Sequence, residues 1–403
     1  MRSCFRAADF ILPKNKGFEK WAVIACDQFT SDRAYWNRVD AFVGDAPSAL
    51  RLMLPEIYLE ENAQERVEWI SRAMTDYEQN GFFEDYRNSF VYVERTLLNG
   101  SIRRGIVGMV DLEQYHYDPS YKPAIGATEQ TVLERIPPRM AVRARAELEF
   151  PHVILFCNDA KDQLVSPLTR MKESLSKLYE FDLMEGGGHI AGWLISGEKA
   201  EELQCSIDAY LQDANGSALL VADGNHSLVT AKSWYEELKK MNPGKDLSNH
   251  PARYALVELE NILDEAIDFE PIHRVIFDTD PDKLLRDLES ICVANGTPVQ
   301  WIIGDRNGTL LLDVPAGELP VAVLQRFLDQ WLQENAGRID YIHDADAVEA
   351  LSREHGAIGL MLPVFDKSEL FAFGASGKIL PRKTFSLGHA REKRYYLEGR
   401  RIK

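Results

Sequence analysis

The chain has 403 residues, and its 46 Lys and Arg against 63 Asp and Glu give a formal net charge of -17. Because domains usually hold about 100–200 residues, we expect two or three folded units. A body this acidic repels polyanions, which argues against nucleic acid as a partner. With 45% hydrophobic and 27% charged residues, the composition is typical of a globular protein and excludes a disordered chain.

The five cysteines are scattered and never form a Cys-x-x-Cys pair, which argues against a disulfide framework or a zinc site. No run of about 18 apolar residues is present, and the N-terminal residues lack the apolar stretch of a signal peptide. We therefore expect a cytoplasmic protein that has no membrane partner. The composition leaves the oligomeric state open.

Apolar periodicity predicts alternating strands and helices along the first two thirds of the chain. In chain order, strands are predicted at 21–27, 90–97, 102–112, 152–157, 218–224 and 252–262. Helices are predicted after a cap at Thr30 or Ser31 and over 61–81, 161–182, 198–213 and 222–240. Asn99-Gly100, between the second and third strands, predicts a hairpin turn.

The last third, 278–403, also alternates helical stretches with strand-like ones, among them ELFAFGA at 369–375. The predicted fold class is therefore α/β of mixed α+β character, built of two or three mixed-sheet units with flanking helices. We expect an N-terminal α/β domain at 1–150, a central α/β domain at 151–275, and a C-terminal α/β domain with a basic tail at 276–403.

The stretch VADGNHSLVTAK offers the best-placed candidate site. Its strand ends at Asp223 and Gly224, and its helix opens with Asn225, His226 and Ser227. Backbone N–H groups at a helix start favour an anion such as phosphate. His226 would add a proton or a hydrogen-bond donor, since histidine is the side chain suited to this near neutral pH. Asp223 either caps the helix or acts as a metal-bridging or general-base carboxylate at the end of a strand, where α/β sheets tend to place ligands.

Three consecutive glycines in GGGHIAG mark a second candidate. They allow the backbone at Gly188 to approach another group closely, with His189 beside it. Such a run costs folding entropy, which a close approach or a tight turn must offset. A plain loop is the alternative interpretation.

Glu129 and a set of arginines form a third candidate. Arg135, Arg139 and Arg143 are spaced by four, but Pro137-Pro138 is predicted to interrupt the helix and keep them off one face. Guanidinium groups suit bidentate contacts with phosphate or carboxylate. Salt bridging within an acidic protein is the alternative interpretation.

The C-terminal stretch is basic, although the rest of the chain is acidic. Its nine basic residues are Lys378, Arg382, Lys383, Arg391, Lys393, Arg394, Arg400, Arg401 and Lys403, and its two acidic ones are Glu392 and Glu398. Such a tail either docks on the acidic surface of its own chain or lines the pocket of an anionic ligand. The chain has no P-loop, no G-x-G-x-x-G after a strand, and no G-x-S-x-G or H-E-x-x-H motif.

Seven stretches form a set that runs from residue 21 nearly to the C-terminus. They are WAVIACDQFTS, ATEQTVLERIPPR, GGGHIAG, ADGNHSLVTAK, EPIHRVI, DYIHDADAV and LPRKTFSLGHAREKRYYLE. Together they resemble the domain of unknown function 1015 family of bacteria and archaea, a resemblance that names no activity. The turn at Asp223 is also similar to the phosphate-contacting turn of the ParB-like superfamily, which includes nucleotide-binding partition proteins and free-serine kinases. That similarity implies a ParB-like element in the central part of the chain.

The usual form of this motif in the family is Asp-Gly-His-His-Arg, and the chain departs from it at two positions. Asn225 stands where the first His would be, and Ser227 stands where the Arg would be. Asp223, Gly224 and His226 keep their places. Because the absent Arg removes a bidentate phosphate contact, the resemblance implies an anion-binding turn with less positive charge.

The first functional hypothesis is an enzyme that acts on a small phosphorylated or nucleotide ligand by phosphoryl transfer or hydrolysis, with Mg²⁺ as a candidate cofactor. His226 would act as acid, base or donor, and Asp223 or Glu129 would hold the metal or a substrate hydroxyl. The countercharge would come from Arg135, Arg139, Lys378, Arg382 and Lys383.

The alternative belongs to another class: a non-catalytic ligand-sensing or protein-interaction module in which the turn only caps a helix. A third hypothesis is a ParB-like protein linked to nucleic acid, which the net charge of -17 disfavours.

Overall fold

The computed structural model describes residues 3–14, 17–24, 29, 32–58, 63–118, 121, 123–129, 136–214, 216–375, 380–381 and 383–403. The chain divides into two compact units. The first unit comprises Met1–Ile267, Leu370–Lys378 and Ala390–Lys403, and the second comprises Asp268–Glu369 and Ile379–His389. No helix in the described ranges has the length and apolarity needed to cross a lipid bilayer.

Strands and helices alternate along the described residues, which confirms the predicted mixed α/β class. The strands are β1 Phe5–Arg6, β2 Ala8–Pro13, β3 Phe83–Thr96, β4 Ile102–Asp111, β5 Tyr115–His116, β6 Ile125–Gly126, β7 Leu148–Glu149, β8 Ile154–Cys157, β9 Ser176–Asp182, β10 His189–Ile195, β11 Leu219–Asp223, β12 Tyr254–Asn261, β13 Phe269–Pro271, β14 His273–Phe277, β15 Cys292–Ile303, β16 Arg306–Leu312, β17 Arg338–Ile342, β18 Ile358–Met361, β19 Phe385–Leu387 and β20 Arg400–Arg401. The α-helices are α1 Phe18–Trp21, α2 Arg33–Val43, α3 Ala63–Gln79, α4 Ile136–Arg145, α5 Ser166–Met171, α6 Glu198–Asp213, α7 Asn225–Met241, α8 Pro281–Leu288, α9 Pro320–Glu334, α10 Ala345–Leu351 and α11 Leu370–Ala375.

A large mixed sheet forms the centre of the first unit. Its strand order is β5-β6-β11-β8-β12-β4-β3-β10-β9, with β1 paired to β4 and β2 paired to β3. Strand β11 runs parallel to β6 and antiparallel to β8, and β8 runs parallel to β12. Strands β8 and β12 are buried along their whole length, as expected for strands that are covered on both faces.

Alternate residues of the central strands face two different hydrophobic cores. Val91 and Val93 of β3 join a core that includes residues of α1, α2 and α3, whereas Phe90 and Tyr92 join a core that includes residues of α6 and α7. Successive side chains of a strand point to opposite faces of its sheet. The sheet therefore lies between two helical layers, and α7 covers the face opposite α2 and α3.

The hairpin and several helices follow the sequence predictions. Strands β3 and β4 pair antiparallel around Asn99-Gly100, with φ of +84° at Gly100. Helix α3 covers most of 61–81, and α6 and α7 match the predictions at 198–213 and 222–240. These elements have strong local signals, namely a turn pair or a long amphipathic period.

The predicted strand at 21–27 is wrong in its described part. Trp21 ends α1, and Val23 forms only an isolated bridge with Tyr396. The apolar character of this run reflects burial in a core rather than strand pairing. Thr30 and Ser31 lie outside the described residues, and the cap of α2 is Asp32, whose side chain accepts a hydrogen bond from the Tyr35 N–H at 2.9 Å.

Two further stretches differ from prediction. The stretch 161–182 is helical only in α5 and in a 3-10 turn at Lys172–Ser174, and its last seven residues form β9. Strand β9 lies at the end of the sheet path, where pairing with β10 outweighs the local preference of its charged residues for helix. The stretch 369–375 was predicted as a strand, but its last six residues form α11.

Pro137 and Pro138 lie inside the first turn of α4. Proline is tolerated there because first-turn N–H groups have no partner within the helix. Arg139 and Arg143 therefore share α4, one turn apart, and the prediction that the prolines keep these two off one helix is wrong. Arg135, the third arginine of that prediction, lies outside the described residues. The side chain of Arg143 lies 2.7 Å from that of Glu149.

The second unit is built on an antiparallel sheet with the strand order β16-β15-β18-β14-β17. Buried leucines of α8 and α9 join its core. His273 is buried, and its Nδ1 accepts a hydrogen bond from the Leu362 N–H at 3.1 Å. Burial, aided by the neighbouring charge of Arg274, lowers the pKa of His273 to about 4. This histidine therefore has a structural role as a neutral acceptor.

Candidate functional site

The turn between β11 and α7 is held tightly against the start of β8. Asp223 pairs with Ile154 across the sheet, and Gly224 follows with a φ of +82°. A Cβ atom on Gly224 would lie 2.1 Å from the backbone oxygen of His152 and 2.9 Å from Cα of Val153. Both the dihedral angle and the close approach therefore require glycine at this position.

Asp223 forms the centre of the site. Its Oδ1 accepts a hydrogen bond from the Gly224 N–H at 2.8 Å. Its Oδ2 lies 2.9 Å from Nζ of Lys393, whose side chain is only 7% exposed. Because burial penalises an isolated charge, Lys393 depends on this carboxylate. The same Oδ2 lies 3.6 Å from Nε2 of His152, which is beyond hydrogen-bond distance and forms an ion pair only when the ring is protonated.

His152 is held in place by a second ring. It is buried, and its imidazole stacks on the ring of Tyr396 with centroids 5.8 Å apart. Tyr396 in turn forms a bridge with Val23, so the C-terminal segment fixes the histidine from one side. Asp223 thus lies between a cation and an imidazole, both contributed by other parts of the first unit.

The first turn of α7 presents backbone donors beside this pair. The N-cap residue is Gly224, which has no side chain to accept from the first-turn N–H groups. Asn225 is 6% exposed, and its Oδ1 accepts no hydrogen bond from the described residues. His226 and Ser227 are half-buried. The carbonyl of His226 accepts a hydrogen bond from Thr230 Oγ1 at 2.7 Å.

The segment that carries Glu129 is bound to β11 by the preceding residue, Thr128. The hydroxyl of Thr128 donates to the backbone oxygen of Val221 at 2.6 Å, which ties this segment to β11 two residues before Asp223. Arg139 lies on α4, which packs against α7. The structure therefore brings the segment that carries Glu129 close to the turn, and it places Arg139 on a helix that packs against α7.

Four further countercharges were predicted for the turn. Arg135, Lys378 and Arg382 lie outside the described residues. Lys383 belongs to the second unit, where its backbone oxygen accepts a hydrogen bond from Nη1 of Arg274 at 3.0 Å.

The glycine run lies in another part of the sheet. His189 is on β10, five strand spacings from β11, which corresponds to about 24 Å. It is 39% exposed, and its Nδ1 lies 2.8 Å from Oδ1 of Asp182. A Cβ atom on Gly188 would lie 2.0 Å from the backbone oxygen of Thr96, and one on Gly187 would lie 2.0 Å from the hydroxyl of Tyr395. The glycines therefore serve close packing.

One C-terminal segment contacts both turns. Lys393 reaches Asp223, and the Tyr395 hydroxyl donates to the backbone oxygen of Met184 at 3.1 Å, beside the glycine run. Between them, Arg394 lies 3.2 Å from Glu258 and 2.8 Å from Glu398. This segment, Ala390–Glu398, is named the strap below.

The basic tail mostly pairs with carboxylates of its own unit. Arg391 pairs with Glu185, Lys393 with Asp223, Arg394 with Glu258 and Glu398, Arg400 with Glu149, and Arg401 with Glu78 and Asp85. Burial alone would raise the pKa of Glu149, but Arg400 and Arg143 outweigh it and hold the pKa below its usual value. Docking on the chain's own acidic residues accounts for these pairs, and Lys393 also borders the candidate site.

Lys393 and His152 are the two members of the site that sequence reasoning missed. Lys393 was counted only as part of the basic tail, and His152 only as the first residue of a strand. Both contacts join segments far apart in the chain, and no spacing rule connects them. Within the described ranges, no group of three or more His, Cys, Asp and Glu side chains is arranged to hold a metal ion.

Comparisons with known proteins identify the family. The family model described as "Protein of unknown function (DUF1015)" matches residues 5–364. The chain therefore belongs to this family. No curated protein matches it in sequence.

Solved structures give only weak likenesses. SbnI with a C-terminal truncation from Staphylococcus aureus is 9% identical over 70% of this chain and 81% of its own, with a TM-score of 0.37. A mutant free serine kinase in complex with AMP is 10% identical over 72% of this chain and 90% of its own, with a TM-score of 0.40. A conserved hypothetical protein from Pyrococcus furiosus is 11% identical over 72% of this chain and 90% of its own, with a TM-score of 0.35. Likenesses at this level assign no function to the chain.

Proposed function

We propose that this DUF1015 protein binds a small phosphate-bearing ligand, such as a nucleotide, at the turn between β11 and α7. We further propose that it acts on the ligand by phosphoryl transfer or hydrolysis. The observation that carries the proposal is the 2.9 Å contact between Asp223 and the buried ammonium of Lys393, beside the uncapped start of a 17-residue helix.

The anion would bind to donors that the turn already presents. The start of α7 carries the partial positive charge of the helix, and its first-turn backbone N–H groups are not used by hydrogen bonds within the helix. Lys393 supplies a full positive charge, which offsets the absence of an arginine at Ser227. Without the ligand, Asp223 neutralises Lys393; with it, the phosphate competes for the same ammonium.

That competition explains how Asp223 would become a base. Once phosphate shares the ammonium, the Asp223 carboxylate can accept a proton from an attacking hydroxyl or water. The attacking oxygen forms a bond to phosphorus as the bond to the leaving oxygen breaks. His226 would donate the proton that the leaving oxygen takes, while Lys393 and the helix start neutralise the charge of the transferred group.

Glu129 and Arg139 have supporting roles in this proposal. Glu129 would orient the attacking hydroxyl, and Arg139 would add countercharge from α4. Mg²⁺ commonly binds through one or two carboxylates together with substrate phosphates, so Asp223 and Glu129 are the residues that would hold it alongside the ligand. When bound, the ion would supply further charge neutralisation.

Binding is tested by thermal shift with phosphate, AMP, ADP, ATP and sugar phosphates, each with and without Mg²⁺. A ligand that binds only the native state raises Tm. We expect at least one compound to do so, and Lys393→Gln to abolish the shift. Lys161→Gln is the matched control, because Lys161 also contacts a carboxylate at 2.9 Å but lies on the surface. The proposal fails if no phosphorylated compound shifts Tm, or if Lys393→Gln binds as well as wild type.

Turnover is tested separately by ³¹P NMR on the compound that binds. Phosphoryl transfer or hydrolysis moves the phosphorus resonance, and His226→Gln should slow the change by about 10²-fold or more, which is typical for a lost proton donor. A ligand that binds but stays chemically unchanged would refute the catalytic part of the proposal and support a ligand-sensing module.

A further inference from the structure

A groove of about 280 Å³ lies between α2 and α3 of the first unit. Its lining includes Trp36 and Asp40 of α2, Arg66 and Trp69 of α3, and residues of the segment 50–58. None of the residues proposed for phosphate binding lines it. The volume is close to the lower end of small-ligand pockets, which begin at about 300 Å³.

Aromatic rings form much of the groove. Trp36 is buried, with its indole N–H donating to the backbone oxygen of Phe29 at 3.0 Å. Trp69 is 53% exposed, an unusual state for so large an apolar side chain. The guanidinium of Arg66 lies over the ring of Tyr58, 3.5 Å from its centroid. The groove therefore offers flat surfaces on which another flat ring can stack.

Two arginines and one aspartate line the groove, and only one of the arginines forms an ion pair among the described residues. Asp40 is already bound to Arg51, with oxygen and nitrogen 2.6 Å apart. Among the described residues, Arg66 forms no ion pair, and its buried Nε has no hydrogen-bond acceptor. A guanidinium whose Cζ lies over a tyrosine ring still carries the N–H donors of its two Nη atoms, which suit a carboxylate.

We propose that this groove binds a small planar aromatic ligand that carries a carboxylate. The ring stacks between Trp69 and the Arg66–Tyr58 pair, and the carboxylate accepts hydrogen bonds from the N–H edge of Arg66. Because the protein has a net charge of -17, an anion needs a local cation to bind, and Arg66 supplies one that no carboxylate of the described residues already neutralises. Arg66 therefore determines the specificity of the groove for acids over neutral rings.

Three probes separate the contributions of ring and charge. Indole-3-acetate carries both, 3-methylindole carries the ring alone, and cyclohexylacetate carries the charge without an aromatic face. Binding to the full-length protein is measured by saturation-transfer NMR titration. We expect indole-3-acetate to bind at least about tenfold more tightly than either partial probe, since a hydrogen bond to a charged group accounts for that factor.

Substitutions in the groove test whether the probes bind there. Arg66→Gln should lower the affinity for indole-3-acetate about tenfold, to that for 3-methylindole. Trp69→Ala should lower the affinity for both indoles. Arg72→Gln is the matched control, because it removes the same charge from an exposed position on the same helix that does not line the groove. Trp69→Phe keeps an aromatic ring and is the control for Trp69→Ala. Circular dichroism checks that both variants fold.

Three results would overturn the proposal. One is equal affinity for indole-3-acetate and 3-methylindole, which would make the groove a plain apolar patch. Another is an equal effect of Arg66→Gln and Arg72→Gln, which would make the attraction nonspecific. The third is binding of a proline-rich peptide with no binding of the acid, which would make the groove a peptide-docking surface.

Discussion

Asp223 and Lys393 are in direct contact, with Oδ2 and Nζ 2.9 Å apart, although one ends a central strand and the other lies near the C-terminus. Their side chains are 19% and 7% exposed. A pair this buried responds to the loss of one partner far more than a surface pair does, because the remaining charge keeps its desolvation penalty.

Lys393→Ala should therefore destabilise the protein by about 3 kcal/mol. Urea unfolding of Lys393→Ala, Asp223→Asn and the double variant gives the coupling energy. The control Lys161→Ala breaks a surface pair of the same length and should change stability little. Additive effects of the two substitutions would show that the contact does not stabilise the fold.

Gly224→Ala should lower the free energy of unfolding by about 3 kcal/mol or more. The substitution combines an unfavourable positive φ with a clash between the added Cβ and the backbone of His152. Gly244→Ala is the matched control, since Gly244 has nearly the same φ of +81° but no heavy atom within 4 Å of the added Cβ. It should cost about 1 kcal/mol. Equal losses for the two variants in urea unfolding would contradict a tight contact between the turn and β8.

Thr128→Val should destabilise the protein by about 1–2 kcal/mol, because the buried oxygen of Val221 loses its 2.6 Å hydrogen bond from the hydroxyl. The same change at Thr75, whose hydroxyl bonds within its own helix, should cost less. If both variants unfold at the same urea concentration, the segment that carries Glu129 is not anchored to β11 as described.

The second unit should lose stability in acid. The pKa of His273 falls to about 4 in the folded protein, mainly through burial, whereas an unfolded histidine titrates near 6.5. The unfolded state therefore binds a proton first, and stability is lost as pH falls from about 6.5 toward 4. Hydrogen exchange of the Leu362 amide, which donates to His273, reports the change.

His273→Gln removes the titrating group and keeps an acceptor. The variant should show a flatter dependence of Leu362 exchange on pH than wild type, after correction for intrinsic exchange. An unchanged slope would mean that His273 is already protonated in the fold or that another group controls the unit.

Local signals predicted the parts of the structure that depend on neighbours in sequence. The turn at Asp223 and Gly224 was predicted because a buried strand, a glycine and a helix follow one another directly. Strand β9 was missed because Lys177 and Glu180 favour helix, and only pairing with β10 decides otherwise.

In the candidate site too, some residues follow from a local motif and others only from tertiary contacts. Asp223 and His226 could be singled out from one motif, whereas Lys393 and His152 enter through tertiary contacts that no periodicity encodes. The two-unit division is hidden for the same reason, because Ala390–Lys403 returns to the first unit after the second has been completed.

The position of the strap also sets an order of events during protein synthesis. A ribosome makes Asp223 and the whole second unit before it makes Lys393, and chains generally fold as they emerge. A nascent chain therefore holds the Asp223 carboxylate without its ammonium partner until Lys393 leaves the exit tunnel. Translation that stops before Lys393 would yield a molecule that lacks one member of the proposed anion site, so ligand binding would report that synthesis had passed this residue.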